Sequence, residues 1–158
     1  MRLYFFRHGE AEPATGEMTD FQRPLTPRGE QRTRRAAAAL AARKVRPAHL
    51  YSSPLVRARQ TAEILGKALG LKVEVREEIE PGFRINALQR LVDAVGDDED
   101  LMFVGHNPDF PTVIGELIGG GDVVMKKGGL ARVDVVLRDP LHGRLVWLLP
   151  PKLLDALE

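Results

Sequence analysis

Arg2-Leu3-Tyr4-Phe5-Phe6-Arg7-His8-Gly9-Glu10 is the stretch on which the fold turns. An aromatic and aliphatic run that breaks off abruptly at charged and flexible residues reads as a buried strand delivering a polar loop. That loop runs to about Leu25, and Thr26-Pro27 then marks a helix start, with a hydroxyl for the exposed amides and proline at the first helical position. The alanine-rich stretch to Arg43 continues the helix. A short strand from Ala48 ends at Ser52-Ser53-Pro54, which reads as a second cap followed by proline. Leu55, Ala58, Ala62, Leu65 and Leu69 step by three and four and give the next helix one apolar stripe, with Gly70 as its terminator. Leu71 to Val75 alternates as a strand, and Leu88, Leu91, Val92 and Val95 mark a third amphipathic helix stopped by Gly96. Leu101 to Val104 has no polar interruption, as expected of a strand covered on both faces. Asn107-Pro108 caps a fourth helix closed by Gly119-Gly120-Gly121, and runs at Leu130–Leu137 and Arg144–Leu149 form a hairpin across Asp139–Gly143. The order β-α-β-α-β-α-β-α-β-β predicts an α/β fold, a three-layer α/β/α sandwich with a mostly parallel central sheet and a C-terminal antiparallel hairpin. With 158 residues, 44% hydrophobic and 28% charged, the expectation is one domain over residues 1–158.

The composition excludes much chemistry. There is no cysteine, so disulfides, thiolate metal sites and cysteine nucleophiles are ruled out. The four histidines lack short paired spacing and the acidic run Asp97-Asp98-Glu99-Asp100 lacks calcium-loop spacing, so no metal and no cofactor is expected. No apolar stretch approaches the roughly 18 residues of a membrane span, and Met1–Arg7 is too brief for a signal peptide, so the expected location is the cytoplasm, with no membrane partner. Lys+Arg 23 against Asp+Glu 22 gives +1, no general pull toward nucleic acid. Arg23, Arg28, Arg32, Arg34, Arg35, Arg43, Lys44 and Arg46 do cluster around a single acid, Glu30, but without interleaved aromatics the cluster reads as a solvated face.

The chemistry gathers at strand ends. Arg7-His8-Gly9 follows the first strand, Ser52-Ser53-Pro54 with Arg57 the second, and Gly105-His106-Asn107 the fourth. Loops at the carboxyl ends of parallel strands form the ligand crevice, so two histidines and two arginines would meet there. Arginine offers a planar fork matched to phosphate, and Arg57 sits in the first turn of a helix, where free amides favour an anion. A neutral imidazole whose other nitrogen is held by a backbone acceptor can attack phosphorus, and that role falls to His8; Gly9 would let the backbone approach the phosphate. Arg7, Arg57 and His106 would neutralise charge in place of a metal.

Arg7-His8-Gly9-Glu10, Arg23-Pro24-Leu25-Thr26, Ser52-Ser53-Pro54-Leu55-Val56-Arg57-Ala58-Arg59-Gln60-Thr61-Ala62 and Val104-Gly105-His106-Asn107-Pro108 together resemble the histidine phosphatase superfamily, which includes cofactor-dependent phosphoglycerate mutases. The resemblance covers residues 1 to about 118, and the short chain and the Arg-Pro-Leu-Thr segment look most like the SixA-type branch, whose members include phosphohistidine phosphatases. It implies a phosphoglycerate mutase-like fold, a phosphorylated His8, and phosphoryl binding by Arg7, Arg57 and His106. In many members a glutamate after the second helix protonates the leaving group; Glu77, Glu78 and Glu80 are available, and Glu78 is taken for that role. Arg23 either binds substrate or pairs with an acid. Only about thirty residues separate Leu71 from Leu101, too few for a long lid, so the cleft should admit a protein-borne phosphoryl group.

The expected function is therefore metal-independent hydrolysis through a phosphohistidine enzyme intermediate, with a phosphohistidine protein as substrate. A small-molecule phosphomonoesterase or mutase acting on a small phosphate ester, and a non-catalytic phosphate-binding adaptor, are the rivals. His49 and His142 read as structural, Asp109 as a helix cap, and Ser52 and Ser53 as caps rather than nucleophiles because no Gly-x-Ser-x-Gly elbow surrounds them. Gly119-Gly120-Gly121 and Lys126-Lys127-Gly128-Gly129 lack phosphate-loop spacing and read as turns.

Overall fold

The computed structural model describes residues 1–157. Six strands, β1 (Arg2–Arg7), β2 (His49–Ser52), β3 (Val73–Val75), β4 (Leu101–Gly105), β5 (Leu130–Arg138) and β6 (Leu141–Leu149), form one sheet in the order β3-β2-β4-β1-β5-β6. The first four are mutually parallel, and β5 and β6 are antiparallel additions at one edge.

Alternation along the central strands divides the core. Leu3 and Phe5 of β1 and Leu101 and Phe103 of β4 face α3 (Ile85–Asp93) and α4 (Asp109–Leu117), joined by Phe83, Phe110 and Ile114. Tyr4, Phe6, Met102 and Val104 face the other way, against α1 (Pro27–Ala42), α2 (Val56–Leu69) and α5 (Pro151–Asp155). This is the expected three-layer sandwich, and β4 is buried at every position because helices cover both its faces.

Local chemistry explains most boundaries. Thr26 caps α1 by accepting from the Gly29 amide at 2.9 Å, with Pro27 at the first position, and Gly70 ends α2 at a φ of 69°, a conformation glycine takes without strain. Other expectations need correction. Neither Ser52 nor Ser53 caps α2, whose cap position is Leu55 without a side-chain bond. Asn107 does not cap α4; its amide donates to Met125 O at 3.2 Å. Asp109 braces a loop instead of its own helix, accepting from the Gly82 amide at 2.8 Å and the Arg84 guanidinium at 2.6 Å. The helix expected to reach Val95 stops at Asp93, the hairpin turns on Asp139-Pro140 alone, and the loop before Leu25 holds a 3-10 turn at Asp20–Gln22. Among the described residues no helix is long and apolar enough to cross a membrane.

The strand order sets the site. Because β2, β4 and β1 are neighbours, their carboxyl ends lie side by side: the His8 amide donates to Gly105 O at 3.1 Å and the Ser53 amide to Val104 O at 3.0 Å.

Candidate active site

His8 is buried at the end of β1, and its ring is fixed from both sides. Nδ1 lies 2.7 Å from Gly9 O, an acceptor, so Nδ1 carries the proton and donates. Nε2 then presents a lone pair, which accepts from Arg57 Nε at 3.3 Å. Burial, with the positive charges of Arg57 and Arg7 nearby, pushes the His8 pKa down to about 3 against the Gly9 hydrogen bond that raises it. The imidazole is neutral at physiological pH, the state a nucleophile needs. Gly9 is required for packing and not only for approach to a ligand: a Cβ there would stand 2.8 Å from Thr33 Oγ1 and 3.2 Å from Gly29 O. Its amide donates to Thr61 Oγ1 at 3.2 Å, and Thr61 in turn donates to Arg57 O at 2.8 Å, tying the loop to the first turns of α2.

Arg57 is buried with its fork held open. NH1 donates to Asp20 O at 2.8 Å and NH2 to Asp20 Oδ2 at 3.2 Å. Arg23 grips the other side of that carboxylate, NH1 to Oδ1 at 2.9 Å, while its Nε donates to Glu12 O at 2.7 Å. The Arg23 hydrogen bond, assisted by Arg57, holds the Asp20 carboxyl below its usual range. Of the two roles open to Arg23, the geometry therefore gives it an acid partner, and through Asp20 it orients Arg57.

Arg7 reaches across to the segment before β5. Its NH1 donates to Met125 O at 2.9 Å, its amide donates to Gly129 O at 3.0 Å, and the Gly128 amide donates back to Arg7 O and His8 O, each at 3.0 Å. Burial lowers the Arg7 pKa, yet a guanidinium stays a cation. His106, at the end of β4, has its ring centroid 5.3 Å from that of His8. Its Nε2 lies 2.7 Å from Ser53 Oγ, which also accepts from the Leu55 amide at 3.3 Å. Among the described residues the Ser53 hydroxyl has no other acceptor, which directs its proton at Nε2 and leaves the ring proton on Nδ1. Burial and the Arg57 charge push the His106 pKa down to about 4. His106 Nδ1 and Arg7 Nε are buried without a protein partner. Buried donors of that kind are costly when unpaired and well suited to a phosphoryl oxygen.

The sequence-predicted quartet Arg7, His8, Arg57 and His106 is thus gathered at one place. Glu78 makes no hydrogen bond or ion pair among the described residues: it lies exposed in a 3-10 turn at Glu77–Ile79, whose Ile79 packs beside Gly105, the residue before His106. Two groups escaped sequence reasoning. Asp20 gave no signal, because a lone loop carboxylate reads as solvated; Ser53 was visible only as a cap. His49 and His142 lie outside this cluster, His49 between Glu74 and Glu99. No group of three or more metal-ligating side chains occurs among the described residues.

With this geometry in view, the chain belongs to the histidine phosphatase superfamily, whose branch 1 model matches residues 3–80, and it is a phosphatase. It is 28% identical over 155 residues to the phosphohistidine phosphatase SixA of Escherichia coli, covering 96% of this chain and 94% of that one. A solved structure of the protein histidine phosphatase SixA complexed with tungstate superposes with a TM-score of 0.86 at 26% identity, over 96% of this chain and 98% of that chain. An uncharacterized protein of Picosynechococcus is 40% identical over 112 residues, 69% of this chain and 68% of that protein.

Proposed function

We propose that the protein hydrolyses phosphohistidine carried on a protein, through a phosphoenzyme formed on His8. The observation that carries this reading is the Nδ1 contact to Gly9 O at 2.7 Å, which leaves Nε2 unprotonated and facing Arg57 Nε. In the first step the His8 Nε2 lone pair forms a bond to phosphorus as the P–N bond to the substrate imidazole breaks, and that imidazole, already protonated on its other ring nitrogen, keeps the electron pair and departs neutral. In the second, water adds to phosphorus, the P–Nε2 bond breaks, and orthophosphate leaves with neutral His8 restored. Arg7, Arg57 and His106 bind the equatorial oxygens throughout. To do so, Arg57 Nε releases the His8 Nε2 lone pair as that lone pair bonds to phosphorus, and the guanidinium exchanges its contact with the exposed Asp20 carboxylate for the phosphoryl group.

The substrate assignment is supported by the likeness to SixA. An alkoxide leaving a phosphate ester needs an acid, whereas an imidazole leaving phosphohistidine is already a good leaving group. Glu78, exposed and unengaged, is the residue that would supply that acid for an ester. The span between β3 and β4 is short and holds only one 3-10 turn, Glu77–Ile79, and α3, joined by brief connections.

The test is to trap phosphate on the enzyme from phosphohistidine, p-nitrophenyl phosphate and phosphoglycerates. Acid-labile, base-stable labelling at His8 with phosphohistidine preferred is the expected result; preference for an ester makes the protein a phosphomonoesterase. In the same assays Glu78→Gln should leave phosphohistidine turnover within about threefold, whereas a general acid for esters would be worth about 100-fold or more.

A further inference from the structure

Beside the phosphoryl pocket lies a second hollow of about 490 Å³, lined by Arg7, Arg32, Lys126, Lys127 and Lys152 over a floor of Pro150 and Pro151. Five cations and, among the described residues, no acid line it. The charge of Arg32 is partly met by Asp155 at 3.1 Å. The ammonium groups of Lys126, Lys127 and Lys152 make no ion pair or hydrogen bond among the described residues, and all three side chains are exposed. Like charges crowded on one wall repel one another, an arrangement disfavoured unless an anionic surface comes to meet it.

The hollow is built into the catalytic centre. Arg7 belongs to both, and the lysine-bearing turn is fastened to the end of β1 by the Gly128 amide on Arg7 O and His8 O and by the Arg7 amide on Gly129 O. Gly128 has a φ of 79°, which a side chain would resist, and that conformation brings its amide under the catalytic loop. The lysines are therefore held at a fixed offset from His8. Their reach, with a screening length of about 8–10 Å in physiological salt, covers groups flanking a phosphoryl acceptor and not the acceptor alone.

We infer that this basic hollow docks the carboxylates that flank the phosphohistidine on an acidic partner protein. The inference rests on the phosphohistidine reading above and adds to it the surface chemistry of the partner. Rim charges of this kind chiefly raise the association rate and its salt sensitivity.

The experiment compares kcat/KM on two phosphohistidine peptides, one with Asp and Glu flanking the phosphorylated residue and one with Asn and Gln, and on p-nitrophenyl phosphate. The wild-type protein should favour the acidic peptide by about tenfold at low salt, an advantage lost in high salt. Lys126→Glu/Lys127→Glu/Lys152→Glu should abolish or invert that preference while p-nitrophenyl phosphate turnover stays within about twofold. Lys152→Gln alone, a milder change on α5, should reduce the preference by about twofold. Equal kcat/KM for the two peptides in the wild-type protein overturns the docking role and leaves phosphohistidine hydrolysis standing. Failure to hydrolyse either peptide, with esters still turned over, overturns both. Stronger inhibition by duplex DNA than by polyglutamate assigns the hollow to nucleic acid and likewise overturns the proposal.

Discussion

His8 and His106 stand at the carboxyl ends of β1 and β4, and His49 at the amino end of β2, so the same residue type occupies opposite rims of one sheet. At the carboxyl rim burial and neighbouring guanidiniums push the two imidazoles down, to about 3 and about 4. At the other rim His49 is only partly buried, and the hydrogen bonds it donates to Glu74 at 2.9 Å and Glu99 at 3.3 Å raise it. The lesson is that the fold supplies the site with dryness and cations, not merely with histidines: a backbone carbonyl partner at His8 fixes a tautomer, whereas a carboxylate partner at His49 favours a charge.

That contrast can be broken or sharpened by substitution and by pH. The largest effect belongs to His8→Ala, which should lower turnover by about 10⁴-fold or more and abolish the phosphoenzyme. Unchanged phosphate release would remove the nucleophile from the carboxyl rim altogether. Arg57→Ala should cost about 100- to 1,000-fold in kcat/KM, whereas Arg23→Ala, acting through Asp20, should cost about tenfold and mainly in KM. A larger loss at Arg23 than at Arg57 would reverse their order of contact with the phosphoryl group.

The pH dependence of stability should also differ between the rims. For His8 and His106 the folded pKa lies below the ordinary 6.5, so the unfolded chain binds protons more readily between those values. Their contribution is complete above pH 6.5 and is lost as the pH falls through 6.5 toward 4 and 3. His49 has the opposite sign: its contribution is present below 6.5 and fades as the pH rises through its raised folded value. Denaturant midpoints of the wild-type protein should fall from pH 7 to pH 5, and carbon-detected NMR should show no titration of the His8 ring in that interval. His49→Gln is the smallest effect, about 0.5 kcal/mol or less at pH 6 after allowance for solvent screening, read as a small shift in midpoint.

The parallel half of the fold was legible because its signals are local and redundant. Leu101–Val104 is an unbroken apolar run, Thr26-Pro27 is a cap with its proline, and Gly70 is a stop; each was found where expected. The quartet was legible for a related reason, since each member ends or immediately follows a strand or lies in the first turn of a helix. What the sequence hid is non-local. The short helix α5 spans only five residues, too few to show a period, and owes its place to Leu154 in the core beside α1. Asp20 is a solvated acid until the fold brings Arg57 to it, across 37 positions. Ser53 takes its partner, His106, 53 positions away, which outweighs the local capping role its neighbours suggest.

The turn from Met125 to Gly129 holds the end of β1 through main-chain atoms alone, apart from the Arg7 side chain that meets its Met125 carbonyl. Mutation at Lys126 or Lys127 can therefore drift, swapping one decoration for another, without disturbing the tautomer or alignment of the His8 ring. Such decoupling makes descendants of this scaffold free to acquire new clients while inheriting their chemistry intact.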